Sequence, residues 1–237
     1  ECRHMGIDVL SPDVNESFVE FAVVPDKMQI RFGMAAVKGV GVGAVEEILR
    51  ARDSDGKFTT IEDFAKRVST SKVNRKTWES LIKSGGFDTL ADRSDLLFNL
   101  DDVLAFGSKL QKEALSGQTD LFGMLTEGSA MLPSLVLRSA PTKYTPREQL
   151  SWERELLGLY ISAHPLDNYE SFFAEQTVPT TSLTAKIDGQ PVTVGGLVTT
   201  VRTIVTKSGK KMAFVGFEDR MGECELIVFP NLYEQIG

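Results

Sequence analysis

The sequence has few of the residues from which disulfides, metal sites and catalytic dyads are built. Its 237 residues include two cysteines and two histidines. Cys2 and Cys224 lie far apart and no secretory signal heads the chain, so we expect reduced thiols and a cytoplasmic protein. Cys2 and His4 alone do not complete a zinc tetrahedron, so no metal site is expected. His164, which precedes Pro165, lacks a partner pattern for acid–base catalysis and is interpreted as a residue that positions its loop.

The sequence also lacks a long hydrophobic run and a positive overall charge. No stretch of about 18 apolar residues occurs, so we expect no membrane partner. The net charge of −7 argues against general binding of polyanions. The charge is uneven, because residues 35–84 hold 10 Lys and Arg against 7 Asp and Glu, residues 85–127 hold 3 against 8, and residues 196–220 hold 5 against 2. Two basic regions therefore flank an acidic one.

Local patterns predict an α+β, multidomain protein with a mainly helical N-terminal part. A β-hairpin is expected within residues 17–32. Helical signals dominate residues 44–117, where Thr60 and Asn74 are typical N-cap residues and the leucine-rich run 96–104 has helical spacing. The opening residues read as part of a folded sequence, so we interpret the chain as a piece of a longer protein.

The second half begins with an irregular stretch and a well-marked helix. Residues 126–144 lack a clear period and contain two prolines, which predicts a linker or an extended crossing segment. Thr145 opens a capping-box pattern, and the helix after it is expected to carry Trp152, Leu156 and Tyr160 on one face.

The sequence becomes β-rich after about residue 190. A long strand is expected from Val192, with Gly195 and Gly196 inside it at a bulge or sharp bend. Strands at 212–217 and 224–229 follow. Three strands in meander order, the first long and bent, are typical of the start of a five-stranded oligonucleotide-binding barrel.

Three glycines alternate in the segment Lys38-Gly39-Val40-Gly41-Val42-Gly43, directly before a helix-like run. Glycine loses more conformational freedom on folding than any other residue, so this spacing favours a role for the backbone itself. A tight loop lets the backbone approach a ligand, the N–H groups at the helix start form an anion site, and Lys38 adds positive charge. The alternative is a glycine-rich turn between helices that binds nothing.

Two other phosphate-binding loops do not fit this segment. A Rossmann fingerprint needs a second parallel strand and an acidic residue about 20 positions on, whereas the sequence here continues as helix. A Walker loop needs Lys-Ser/Thr after its glycines, which is missing. A helix–hairpin–helix that holds a nucleic-acid backbone without reading its sequence fits better.

A second basic element contains Lys72, Asn74, Arg75 and Lys76. A run of charge alone is usually a solvated face. Beside a phosphate-binding hairpin, and with Asn74 at a helix start, we interpret it as the partner hairpin.

Three stretches together resemble the family of bacterial DNA polymerase III alpha subunits, the C-family replicative polymerases: IRFGMAAVKGVGVGAVEEILRAR, VNRKTWESLIKSGGFDTL and WERELLGLYISAHPLDNY. The upstream GIDVLSPDVNESF resembles the end of that family's fingers domain. The resemblance covers essentially the whole chain. It implies the end of the fingers in residues 1–34, a tandem helix–hairpin–helix in 35–112, a clamp-binding segment with a helical connector in 113–190, and a truncated oligonucleotide-binding domain in 191–237.

The resemblance implies a sliding-clamp motif in GQTDLFG, at Gln118, Leu121 and Phe122. A short exposed segment can insert a leucine and an aromatic ring into an apolar pocket while a glutamine amide bonds at its rim. The alternative is a helix end that tucks Leu121 and Phe122 into its own core.

The resemblance also implies contact between the C-terminal domain and the single-stranded template. Single-strand binders combine a basic groove with aromatic rings on which bases stack. The candidates are Arg202, Lys207, Lys210, Lys211 and Phe214. Because Phe214 and Phe217 have opposite parity along one strand, at most one of them faces a groove.

Catalysis is expected outside this sequence. Nucleotidyl transfer needs carboxylates that hold two metal ions, and in the resembled family these lie in the palm, with Mg²⁺. We therefore expect a non-catalytic part of a DNA-directed DNA polymerase, without a cofactor of its own. Its partners would be the primer–template duplex, the single-stranded template, the β sliding clamp and other replicase subunits.

Two other functions remain open from the sequence. A repair enzyme of the ligase or glycosylase type also uses a helix–hairpin–helix, but it wants a nucleophilic lysine motif or a catalytic aspartate soon after the hairpin, and neither stands out. The third possibility is a scaffold whose main role is the clamp contact.

Overall fold

The structure is a computed structural model that describes residues 2–116, 134–184 and 187–236. The chain divides into two compact units, Glu1–Ser162 (unit 1) and Ala163–Gly237 (unit 2). Unit 1 is mainly helical, and unit 2 contains a three-stranded antiparallel sheet. The predicted α+β class is confirmed, while the four segments named by role stay predictions.

Unit 1 begins with a small mixed sheet of β1 (Asp8–Leu10), β2 (Ala22–Val23) and β3 (Gln29–Arg31). The antiparallel pairing of β2 with β3 confirms the predicted hairpin, and Asp26 in its turn has a φ of 59°. Two features differ from the prediction. Strand β1 adds to β3 in parallel, and the strand before the turn is short because the chain near Ser17 instead folds inward, where the Ser17 hydroxyl donates to the Phe32 carbonyl at 2.7 Å.

Six helices follow in the described part of unit 1. They are α1 (Val42–Asp55), α2 (Ile61–Arg67), α3 (Arg75–Lys83), α4 (Arg93–Phe98), α5 (Leu100–Ser116) and α6 (Pro146–Leu157). The predicted N-caps are confirmed, because Thr60, Asn74 and Thr145 each accept the N–H of the third residue of their helix. These side chains satisfy amides that the helix itself leaves unpaired.

An aromatic cluster joins α2, α3 and the turn after α3. Phe64, Trp78 and Phe87 are buried, and each pair of rings has centroids 4.9 Å apart. Val45 and Ile48 of α1 are fully buried in the same core. The first helix after the glycines and the second basic element are therefore parts of one packed body.

The helix predicted across residues 96–104 is broken at Asn99, which was not predicted. The Asn99 amide donates to the carbonyls of Asp95 at 2.7 Å and Arg138 at 2.6 Å, and its oxygen accepts the Arg138 N–H at 3.0 Å. An asparagine side chain readily competes with helical hydrogen bonds in this way. The apolar period continues through the break, so the period alone could not reveal it.

The extended crossing segment is confirmed for residues 134–144. Its backbone N–H groups are accepted by side chains of the helices: Leu135 by Glu62, Ala140 by Asp95 and Tyr144 by Ser94. Lys143 forms ion pairs with Asp92 and Asp95. Part of the acidic region of the sequence is therefore used to hold this segment.

The face predicted for α6 is partly wrong. The helix ends at Leu157, with Gly158 in a left-handed conformation at φ 78°, so Tyr160 lies beyond it. The residues buried on α6 are Leu150, Glu153 and Leu157. Glu153 is a buried acceptor for the N–H groups of Ile161 and Ser162, each at 3.0 Å, which a hydrophobic pattern does not predict.

Unit 2 contains α7 (Glu170–Gln176), the strands β4 (Leu197–Val205), β5 (Lys211–Glu218) and β6 (Glu223–Val228), and α8 (Pro230–Ile236). The antiparallel order β4-β5-β6 confirms the predicted meander, and the sheet is open, as in a partial oligonucleotide-binding barrel. His164 positions its loop as predicted, since its Nδ1 accepts the Leu166 N–H at 3.2 Å.

The first strand of this sheet begins later than predicted, at Leu197 rather than Val192. Gly195 and Gly196 precede the strand, and the register shift lies between Val198 and Thr200. Gly196 is required by close packing, because a Cβ there would collide with the Glu218 carbonyl oxygen.

Candidate nucleic-acid interface

Residues 38–43, called the glycine loop, follow a short 3-10 helix at Met34–Ala36 and include the first two residues of α1. The first helix of the hairpin is thus a single short turn. Gly39 has a φ of 90°, and the Lys38 N–H donates to the Leu156 carbonyl of α6 at 2.9 Å. Val40 is buried, whereas Lys38 is exposed. The loop is held from inside by its backbone and by Val40 and presents its charge outward.

The start of α1 leaves amides unpaired on the surface. Within the described part of the chain, the N–H groups of Gly41, Val42 and Gly43 have no acceptor, and all three residues are exposed. Unpaired amides at the N-terminus of a helix, at the positive end of its dipole, are suited to an anion. The site predicted from the glycines is therefore open rather than packed inside the protein.

The fold requires glycine at one position of this loop but not at the other two. Gly39 is required, because of its positive φ and because a Cβ there would lie 2.6 Å from Ser80 Oγ. Gly41 has an ordinary φ of −85°, and a Cβ on Gly41 or Gly43 would meet nothing within 4 Å. Packing within the protein therefore does not explain these two glycines.

The second hairpin consists of α2, the second loop (residues 68–74) and α3. Asn74 Oδ1 accepts the Thr77 N–H at 3.1 Å, which leaves the N–H groups of Arg75 and Lys76 without an acceptor in the described residues. Lys76 Cε would lie 3.4 Å from a Cβ on Gly39. The side chain of Lys76 therefore reaches the glycine loop, and the two hairpins adjoin.

The predicted cations are not equally free. Arg75 pairs with Glu79 at 2.9 Å and with Asp101, and the hydrogen bonds to Asp101 and then Glu79 raise the pKa of its guanidinium. Lys72 Nζ lies 3.5 Å from Glu47 Oε2. Lys38 and Lys76 have no ion pair within the described part of the chain. Exposed ion pairs are typically worth less than about 1 kcal/mol, so a phosphate can compete for Arg75. The partner of Lys72, Glu47, is buried, so the same argument does not apply to that contact.

Glu47 is the main site residue that sequence reasoning missed. It lies on α1 with 3% of its side chain exposed, and it accepts hydrogen bonds from Arg50 at 2.7 and 3.0 Å and from the Ser69 N–H at 3.0 Å. The hydrogen bond from Arg50, opposed by burial and helped by Ser69, lowers the pKa of Glu47 to about 2. The helical period could have separated it from its exposed neighbour Glu46, since Glu47 lies three residues after Ala44 and four before Ala51, on the buried face of α1.

The clamp-motif residues Gln118, Leu121 and Phe122 lie outside the described residues. The helix before them, α5, ends at Ser116 as described, and the chain is described again from Ser134. The clamp interpretation therefore stays a prediction.

In unit 2 the structure brings together two of the five single-strand candidates. Arg202 and Phe214 are directly opposite on β4 and β5, with the guanidinium carbon 4.9 Å from the ring centroid. Phe217 is buried, as the parity argument requires of one of the two rings. The other three candidates lie elsewhere: Lys207 in the β4–β5 turn, Lys210 beside Glu234 at 3.3 Å, and Lys211 on the opposite face from Phe214.

The described residues hold no group of three or more His, Cys, Asp or Glu side chains that could bind a metal ion. None of the helices described is long and apolar enough to cross a membrane.

Comparison with known proteins supports the helix–hairpin–helix interpretation. Residues 6–96 match a family model described as a helix-hairpin-helix motif, a range that includes the small N-terminal sheet, the glycine loop and the second loop. Over all of its length the chain is 38% identical to the DNA polymerase III subunit alpha of Haemophilus influenzae and to that of Mycobacterium tuberculosis. Over 96% of its length it is 40% identical to the same subunit of Neisseria meningitidis serogroup B.

The chain is a homologue of one segment of DNA polymerase III subunit alpha. It spans about one fifth of the length of these relatives, at 19 to 20%. The resemblance that the sequence motifs indicated is thereby confirmed. Since the similarity to the alpha subunit continues through unit 2, it covers the open sheet as well as the hairpins.

Proposed function

We propose that this protein is a DNA-binding part of a bacterial replicative DNA polymerase. The glycine loop and the second loop would hold the product duplex by its phosphates, without reading its sequence. The observation that carries the proposal is the exposed, unpaired amide group at Gly41, Val42 and Gly43 beside Lys38. Similarity to polymerase subunits over the whole chain favours this function over a helix–hairpin–helix repair enzyme.

The chemistry of such a grip is electrostatic. A phosphate oxygen at the start of α1 would accept N–H groups while Lys38 and Lys76 neutralise its charge. Contacts of this kind release counterions from DNA, so affinity falls steeply as salt rises. Binding of this type suits a polymerase, which must hold every sequence that it makes.

Further partners are part of the same proposal. Gln118, Leu121 and Phe122 would dock on the β sliding clamp, and Arg202 with Phe214 would contact the single-stranded template. Polymerisation, with its Mg²⁺, and contacts with other replicase subunits are proposed for the larger protein. No cofactor is proposed for the residues of this chain.

Separate single substitutions test whether duplex and clamp sites are independent. Lys38→Gln should weaken binding to a fluorescent duplex roughly 3- to 10-fold at low salt, because one phosphate contact is lost. Gln118→Ala should leave duplex binding unchanged and weaken binding to a purified sliding clamp. Fluorescence anisotropy measures the first and surface plasmon resonance the second.

Lys57→Gln is the charge control for Lys38→Gln. Lys57 follows the other end of α1, is exposed and pairs with Glu16, so its neutralisation removes one positive charge away from the glycine loop. If Lys38→Gln and Lys57→Gln lost the same amount of duplex affinity, binding would depend only on net charge, and the phosphate site would be overturned. A Gln118→Ala protein that still binds the clamp normally would overturn the clamp assignment.

A further inference from the structure

We propose that Glu47 is a positioning residue that, together with Gln111, fixes the second loop against α1 so that both hairpins form one rigid surface for duplex DNA. This inference rests on the proposed function. It assigns a role to a buried carboxylate and to a glutamine, neither of which would touch the nucleic acid.

Glu47 joins the two hairpins directly. It lies on the second turn of α1, close behind the unpaired amides at Gly41–Gly43. Its Oε1 accepts the Ser69 N–H at 3.0 Å, and its Oε2 lies 3.5 Å from Lys72 Nζ. A single carboxylate on the first hairpin thus holds both the backbone and a side chain of the second loop.

Gln111 on α5 also holds the second loop, through other backbone groups. Its Oε1 accepts the Thr70 N–H and the Thr70 hydroxyl, each at 3.0 Å, and its Nε2 donates to the Val68 carbonyl at 2.8 Å. Within the second loop, the hydroxyls of Ser69 and Ser71 are 2.8 Å apart. Side chains from two helices therefore bind three consecutive residues of the second loop, Val68, Ser69 and Thr70.

A negative charge at this place needs an explanation. A carboxylate near Lys72, at a surface that would bind a polyanion, weakens the attraction for phosphate. Its benefit is pre-organisation, because a loop that is already ordered loses less conformational entropy when it binds. Two rigidly spaced loops can also engage two phosphates of one duplex, so that the second contact forms without a new bimolecular encounter.

Replacing Glu47 sets these two effects against each other. Glu47→Gln removes one negative charge, which favours DNA binding, but it also removes the ionic attraction for Lys72 and weakens the hold on the second loop. Glu46→Gln is the matched control, since Glu46 is the exposed neighbour on the same helix and has no partner within the described residues. Both variants carry the same net charge.

The experiment measures duplex affinity of the whole chain over a series of salt concentrations. We expect Glu46→Gln to bind as tightly as the parent or slightly more tightly. We expect Glu47→Gln to bind roughly 3- to 10-fold more weakly than Glu46→Gln, with a salt slope smaller by about one phosphate contact. Gln111→Ala, which changes no charge, should lower affinity and slope in the same direction.

The melting temperature of each variant is measured first. Binding is then measured well below the lowest of these temperatures, so that every variant is folded in the binding assay. A smaller salt slope reports fewer phosphate contacts per bound protein, which a mere loss of folded protein does not produce. The inference is overturned if Glu47→Gln binds as tightly as Glu46→Gln, or if its salt slope equals that of the parent. If the parent itself does not bind duplex, the proposed function fails first.

Discussion

The glycine loop shows at the scale of single residues how the same amino acid can be required for two different reasons. Gly39 is fixed by the protein, through its positive φ and its contact with Ser80. Gly43 lies in the first turn of α1 facing open space, where alanine would suit the helix better. The fold does not require glycine at position 43, and the proposed phosphate contact gives a reason for it that can be tested.

Gly43→Ala should therefore separate stability from binding. We expect the free energy of unfolding to rise by about 0.5 kcal/mol, since alanine restricts the unfolded chain and favours helix. Duplex affinity should fall several-fold, because the new methyl group occupies space beside the unpaired amides. Urea unfolding and fluorescence anisotropy measure the two quantities.

Gly39→Ala is the comparison for that prediction. It should lower the free energy of unfolding by more than about 1 kcal/mol, because the left-handed backbone and Ser80 both oppose a side chain. A Gly43→Ala protein that binds duplex normally would show that no group approaches the start of α1 closely.

At the scale of elements, Asn99 has two structural roles that were not predicted from the sequence. It ends α4 and offers its amide as a pairing partner for Arg138 in the crossing segment. Arg138 also pairs with Asp102 at 2.7 Å and lies over the Phe98 ring at 5.3 Å. The crossing segment is thus attached where the helix breaks.

Asn99→Ala should release this segment. Asn99 is almost completely buried, so the loss of its hydrogen bonds leaves polar groups unpaired and should cost about 1 to 3 kcal/mol. Hydrogen exchange measured by mass spectrometry should show faster exchange at residues 134–144, with the glycine loop unchanged. Unaltered protection of the segment would contradict this account of its attachment.

Elements marked by local chemistry were predictable from sequence. Helix starts could be predicted at Thr60, Asn74 and Thr145, because an N-cap side chain bonds to a backbone N–H only three residues further along. The break at Asn99, the addition of β1 to β3 and the pairing of Arg75 with Asp101 depend on partners far along the chain. Local patterns carry no information about such partners, so the open glycine loop was predicted whereas its supports were not.

At the scale of the whole molecule, the carboxylates whose pKa values are shifted are all shifted downward. Among the described residues they are Glu47, Glu62, Asp92, Asp95, Glu148 and Asp219. Hydrogen bonds from Lys143 are the largest cause for Asp92 and Asp95. Ionised carboxylates therefore connect helices, loops and the crossing segment.

Acid should weaken the fold for this reason. Each such carboxylate has a lower pKa folded than unfolded, so its contribution is complete above its unfolded pKa and is lost as pH falls through the folded value. For Glu47 the window runs from about 4.5 down to about 2. Ionised Glu47 contributes about 1 to 2 kcal/mol to the free energy of unfolding. This is less than the pKa shift alone would give, because its partner Arg50 is exposed and solvent screens the pair. Urea midpoints measured from pH 6 to pH 3 should fall, and Glu47→Gln should show a shallower fall than Glu46→Gln.

The hydrogen bond from the Lys38 amide to the Leu156 carbonyl has a consequence for biosynthesis. The donor is translated before its acceptor, which follows only after the whole stretch from α1 to α5 and the residues behind it. A nascent chain that has not yet made α6 carries the basic loop without one of its supports. Contacts this distant along the chain close late, so the proposed DNA-binding loop gains this support only after α6 has been made.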